Sequence, residues 1–289
     1  MQSPNQTQDP TGRNTGQDPE AKIWYHSSWD EAAAKAWDEA EAKAKAKAEA
    51  QPKAKTWYHT SWEEAPSALS FLFYGKSGVG KTRLAASFAE LGPVLFLATD
   101  TGVSGGLLSA KPYKPWFVIL KDYSTFLSLI PKLQAEAGQT FKTLVLDSVT
   151  SFQTIVMRHV LDHSSREIPR FEDWNLCVTR LRTALNVLGA LPCHLVLTAT
   201  EQLFKDELIG KIVGAPNVVG KLSQELPAAV DIVLHLTTRS AYDPNGKRSV
   251  TYEMTSTPDE WWTAKDRTGI LPVVSSTEFR ALKSLFERR

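Results

Sequence analysis

Positions 75–82 read Gly75, Lys76, Ser77, Gly78, Val79, Gly80, Lys81 and Thr82. The three glycines leave little side-chain bulk, so backbone N–H groups can converge on phosphate oxygens. Lys81 carries an ammonium on a stem that reaches the β- and γ-phosphates of a nucleotide, and the Thr82 hydroxyl is a hard ligand suited to Mg²⁺. An apolar run, Phe71-Leu-Phe-Tyr74, leads into the segment, and a helix-forming run, Arg83-Leu-Ala-Ala86, leads out. A phosphate held there would face the positive end of a helix dipole. At average residue usage a chain of this length meets the spacing by accident roughly once in a hundred. The strand before and the helix after make chance a poorer explanation still. A second cluster supports the first. Thr143-Leu-Val-Leu-Asp147-Ser148 is an apolar strand ending in a carboxylate, and Asp147 would hold Mg²⁺ directly or through a water, opposite the phosphates.

Such groups need a scaffold that gathers strand ends. From about Pro66 onward, apolar β-runs alternate with helical patterns, which predicts an α/β fold with a mainly parallel central sheet flanked by helices. Strands are expected at Leu69–Tyr74, Val94–Ala98, Trp116–Leu120, Thr143–Leu146, His194–Thr198, Asp231–Leu236 and Ser249–Met254. Helices are expected at Lys81–Glu90, Tyr123–Ala137, Ser151–Leu161, Asp173–Leu188 and Ser276–Glu287. The segment Glu201–Pro227 contains Gly210, Gly214, Pro216 and Gly220, which predicts an extended loop or hairpin.

Three units follow: a core over 66–275, a C-terminal helix over 276–289 lying as a surface lid, and an N-terminal extension over 1–65. The extension opens on a polar, disorder-prone stretch. It then carries two Trp-Tyr-His-(Ser/Thr)-Ser-Trp segments, starting at Trp24 and Trp57, joined by an Ala/Lys/Glu-rich linker. That linker has helical propensity but no apolar face wide enough to build a core. Tryptophans in a polar tail need an apolar partner surface.

The net charge of +1 gives no global attraction to nucleic acid or acidic membranes, so any basic surface must be local. Cys177 and Cys193 stand outside any CxxC or His-rich cluster, which fits a reducing compartment and excludes a disulfide framework. No secretory leader is read at the N-terminus, and no apolar run approaches the roughly 20 residues of a membrane span. A cytoplasmic location and no membrane partner are expected. His159 and His163 are spaced i, i+4 without a third ligand, and read as a solvated helix face rather than a metal site. Trp261 and Trp262 suit either stacking on a base or packing against the last strands.

The Gly75–Thr82 loop, the Asp147 strand and the lack of an Asn-Lys-x-Asp guanine-specificity motif together resemble the RecA-like P-loop ATPases. The likeness is greatest to the phage-type nucleotide-binding proteins, AAA-type minimal cores associated with recombination and single-strand annealing. It covers about Ser67 to Pro272. The resemblance implies ATP and Mg²⁺ as cofactors and hydrolysis of the nucleotide. It places Asp100, ending Val94-Leu-Phe-Leu-Ala-Thr-Asp100, where the family has its water-activating carboxylate, more often Glu. It assigns γ-phosphate sensing to the polar end of His194–Thr200, with Thr200 first and Glu201 and Gln202 as competitors; relatives tend to have Gln or His there. It matches Lys265 and Arg267 to cations that reach the γ-phosphate of a neighbouring subunit.

The resemblance implies single-stranded DNA and further copies of the chain as partners, in a ring or a filament, and an intracellular protein of phage type. DNA would touch the loops His159–Phe171 and Gln202–Lys221. Two rivals stay open. One is a helicase loader or scaffold whose Trp-Tyr-His segments bind a protein partner. The other is a different P-loop enzyme, such as a small-molecule kinase, although no Arg-rich lid stands between the two motifs.

Overall fold

The computed structural model describes residues 68–99, 109–205, 210–243 and 245–287. Asp100 and the N-terminal extension, with both Trp-Tyr-His segments, lie outside them. The strands are β1 (Ser70–Tyr74), β2 (Val94–Ala98), β3 (Trp116–Ile119), β4 (Thr143–Asp147), β5 (His194–Ala199), β6 (Glu201–Lys205), β7 (Ile212–Pro216), β8 (Ile232–Tyr242), β9 (Arg248–Thr255), β10 (Lys265–Asp266) and β11 (Val274–Ser276). The helices are α1 (Lys81–Ala86), α2 (Tyr123–Glu136), α3 (Val149–His163), α4 (Phe171–Gly189), α5 (Leu222–Ala229) and α6 (Ser284–Glu287).

The main sheet runs β11-β9-β8-β1-β5-β4-β2-β3, with β10 added beside β8. From β8 to β3 every pairing is parallel, while β9, β10 and β11 join antiparallel. The expected α/β core with a mainly parallel sheet is the observed one. Alternation along each strand sorts its side chains to two faces. Leu72 and Tyr74 of β1, with Leu144 and Leu146 of β4, meet α2, α3, α4 and α5 on one face. Phe71 and Phe73, with Val145 and Val196, meet α1 and the chain's last residues on the other. Covered on both faces, these strands read as continuous apolar runs rather than alternating ones.

The helix starts carry visible signals. The Asp122 carboxylate accepts from the Thr125 N–H at 2.7 Å, and the Ser148 hydroxyl accepts from the Ser151 N–H at 3.2 Å. Each satisfies an otherwise orphaned backbone donor.

Several boundaries differ from expectation for packing reasons. Where one surface helix was expected over 276–289, the described residues 276–287 end β11, make tight turns and form the four-residue α6. Phe279, Leu282 and Leu285 are buried, and Phe279 meets Phe88 edge-on with centroids 5.4 Å apart. The segment therefore completes a core face rather than lying over the surface. The stretch 201–227 is in part a hairpin, β6–β7, but it ends in α5, whose first turn follows Gly220. Cys177 and Cys193 are buried, and desolvation pushes both thiols up to about 11. Neither is a poised nucleophile. Among the described residues no helix is long and apolar enough to cross a membrane.

His159 is buried on α3, its ring 5.0 Å from that of Tyr123 and its Nε2 3.4 Å from the Arg180 guanidinium. Burial, then His163 and Arg180, push its pKa down to about 4. Unfolded, the imidazole titrates near the ordinary value of about 6.5. Between those values the unfolded chain binds the extra proton, so stability is full above the upper value and falls as pH drops towards the lower one. His159→Gln should flatten the fall in melting temperature across this window. An equal fall in both proteins would assign it to other groups.

Candidate functional site

Strand β5 lies between β1 and β4. Tyr74, at the end of the phosphate-loop strand, and Asp147 are therefore about 10 Å apart, two strand spacings. Hydroxyl groups bridge the gap. Thr82 Oγ1, in the first turn of α1, donates to Asp147 Oδ2 at 2.7 Å. Thr198 Oγ1, on the intervening strand and wholly buried, donates to Asp147 Oδ1 at 2.5 Å. Behind the carboxylate, the Ser148 N–H donates to Thr99 Oγ1 at 2.8 Å, and that hydroxyl donates to the Ser148 carbonyl at 3.0 Å. The ends of β2 and β4 are thereby tied together. The Asp147–Ser148 peptide is cis.

The loop itself depends on its glycines at two points. Gly75 runs so close to β8 that a Cβ would lie 2.2 Å from the Leu236 carbonyl oxygen. Gly80 adopts φ +95° immediately before α1, a conformation that side chains resist. Lys76, Ser77 and Gly78 are exposed, while Val79 is buried and anchors the loop. The Lys81 ammonium folds over the loop and donates to the Gly75 and Lys76 carbonyls at 2.8 and 2.7 Å. Burial pushes the Lys81 pKa down, and the negative charges of Asp147 and Glu201 oppose that shift.

Thr82 and Asp147 present hard oxygen donors side by side, a set that suits Mg²⁺ better than a soft transition metal. Among the described residues no group of three His, Cys, Asp or Glu could hold a metal ion, and His159 and His163 gather no third ligand. Mg²⁺ on Thr82 and Asp147 would supply charge neutralisation at a transferring phosphoryl group.

The other candidates are placed as follows. The Thr200 hydroxyl contacts Thr150 Oγ1 at 3.3 Å and accepts from Asn217 Nδ2 at 3.3 Å, so Thr200 is knitted to α3 and to the residue after β7. Glu201, next to it, directs its carboxylate to His235 Nε2 at 2.9 Å. Lys265 and Arg267 sit by the start of β8, at the sheet edge away from the phosphate loop. Lys265 Nζ donates to the Pro227 and Ala228 carbonyls at 2.5 and 3.1 Å, and Arg267 donates to the Ala228 carbonyl at 2.7 Å. Within their own chain these cations cap the C-terminus of α5, where the helix dipole favours positive charge.

Trp262 packs rather than projects: its ring stacks on His235 at 4.0 Å with the planes 13° apart. Sequence reasoning missed the roles of Thr198 and His235. Each was visible as a polar residue inside an apolar strand, where a buried donor needs a partner.

A family model described as an AAA domain matches residues 67–268. No curated protein matches the chain. Among solved structures, a prototypical ATPase from the type III secretion system of pathogenic bacteria aligns over 59% of this chain and 52% of its own. Identity is 17% and the TM-score 0.42. The chain thus spans about half the length of that ATPase. The RadB recombinase aligns over 65% of this chain and 87% of its own, at 16% identity and a TM-score of 0.35.

Thr198→Val keeps the side-chain shape and removes the O–H that orients Asp147. Partners behind a metal ligand typically contribute about 10–100-fold in metal affinity. The variant should therefore fold and bind nucleotide, yet require on the order of tenfold more Mg²⁺ or beyond for half-maximal effect. An unchanged Mg²⁺ titration would remove Asp147, as held here, from the metal site.

Proposed function

The chain belongs to the AAA-domain family, and from that membership we propose that it is a Mg²⁺-dependent ATPase of RecA-like, phage-type character. It acts in DNA recombination or single-strand annealing by assembling on single-stranded DNA. The observation that carries the catalytic half of this reading is the 2.7 Å contact between Thr82 and Asp147. It sets a Mg²⁺ donor pair at the mouth of a loop built for phosphates. In this reading Gly75–Thr82 cradle ATP, Thr82 and Asp147 ligate the metal, and Thr200 attends the terminal phosphate.

Support for the DNA half is local charge. Lys205, Lys211 and Lys221 are exposed on and just after the β6–β7 hairpin, and Arg170 and Phe171 are exposed at the start of α4. Lysines on a protruding hairpin supply sequence-blind attraction to phosphates, and an exposed aromatic offers a stacking surface. Self-association enters this reading through Lys265 and Arg267, which lie at the sheet edge away from their own phosphate loop and would reach a nucleotide bound by a neighbouring copy. The proposed units are the ATPase core over 66–275, the C-terminal segment over 276–289, and the extension over 1–65, to which docking is assigned.

The test is single-strand binding at several salt concentrations, with ATPase activity measured in parallel. Replacing Lys205, Lys211 and Lys221 together by Ala should weaken binding and flatten its salt dependence, by about one unit of slope for each lysine that pairs with a phosphate. Basal ATP turnover should survive. DNA binding equal to wild type at every salt concentration would take the hairpin out of the DNA interface. Hydrolysis without any DNA affinity would favour the loader or scaffold reading.

A further inference from the structure

Glu201 is a carboxylate at the phosphate site that the Mg²⁺ pair does not use. It leaves the C-terminal end of β5, the strand between the phosphate loop and Asp147. Its charge bears on the Lys81 ammonium together with that of Asp147. The side chain is only 11% exposed, and among the described residues its hydrogen bond goes to Oε2 alone, from His235 Nε2 at 2.9 Å. A carboxylate only accepts, so the imidazole carries its proton on Nε2. Burial depresses the pKa of His235, against the opposing hydrogen bond and charge of Glu201.

The ring has no freedom to turn. Trp262 stacks on His235, and Tyr74 lies 5.0 Å away, centroid to centroid. Trp262 in turn lies flat on Gly214, where a Cβ would fall 2.1 Å from the indole. A side chain this buried, held at one oxygen and placed at the strand ends around the phosphate loop, is a candidate for function.

We propose that Glu201 orients the water that attacks the terminal phosphate of bound ATP, with His235 as its positioning residue. This rests on the ATPase reading above. In the step, the water oxygen bonds to the terminal phosphorus while the bond from that phosphorus to the bridging oxygen breaks, its electron pair leaving with ADP. The water's proton passes to Glu201 Oε1 and then on to solvent or phosphate. His235 Nε2–H stays on Oε2 throughout. Glu201 thereby takes the part that the family resemblance would give to Asp100.

The test compares kcat and KM for MgATP, and the affinity for ATP, in wild type and variants. Glu201→Gln keeps shape and loses the base, so kcat should fall on the order of 10²-fold or more, with KM and affinity near wild type. His235→Phe keeps the stack and loses the donor, and should lower kcat without raising KM. His235→Gln, which restores an N–H donor, should recover part of that loss. Wild-type kcat in Glu201→Gln would overturn the inference and leave the ATPase reading standing, most plainly if Asp100→Asn abolishes turnover instead. Loss of ATP affinity and melting temperature in step with kcat would make the pair structural and overturn it as well. If Glu201→Gln does not fold, His235→Phe carries the same comparison. Failure of wild type to hydrolyse MgATP would end the ATPase reading itself.

Discussion

Asp147 accepts one hydrogen bond from Thr82 on the helix after the phosphate loop and another from Thr198 on the strand between. The rest of the site depends on that convergence. A strand-end carboxylate with no partners has several rotamers open to it. Holding each oxygen with a hydroxyl from a different element fixes its direction. It also forces the order of the sheet, because Thr198 can lie between Thr82 and Asp147 only if β5 separates β1 from β4. The topology and the donor pair are one constraint seen at two scales.

Packing on both faces keeps those strand ends in place. One face is covered by four helices, and the other by α1 and the last residues of the chain. Burying a Phe side chain contributes about 1.5–3 kcal/mol. The cluster of Phe71, Phe73, Phe88 and Phe279 therefore ties β1, the segment after α1 and the C-terminus into one body. Its reach extends to the loop: a Cβ on Gly80 would sit 3.7 Å from Thr277 and 3.8 Å from Tyr252. The C-terminal segment thus stands beside the start of α1, where phosphates would bind.

Much of this was legible in the residues. The Gly75–Thr82 spacing carries its own chemistry, and the apolar runs of β1, β2, β4 and β5 show a doubly covered parallel sheet because burial on both faces leaves no polar alternation. The helix expected at Tyr123–Ala137 is α2 to within one residue. What resisted reading came from long-range packing. Nothing near Glu201 announces that His235, 34 residues on, will hold its carboxylate. Nothing near Gly214 announces that Trp262 will lie against it. The last residues looked like a helix by propensity, but Phe279 and Leu285 had a core face to fill, and tertiary burial overrode local preference. The sequence pattern matched Lys265 and Arg267 to a neighbour's phosphate, while in their own chain they cap the C-terminus of α5.

In the proposed function, a grip on phosphate after β1 and one on Mg²⁺ at the end of β4, with β5 between them, make this chain an ATP hydrolase. Phosphate release from ATP, measured with and without Mg²⁺ for wild type and Lys81→Ala, tests it most directly. Turnover that requires Mg²⁺ in the wild type and drops to background in Lys81→Ala is the expected result. Hydrolysis by Lys81→Ala at the wild-type rate, or turnover indifferent to Mg²⁺, would contradict it.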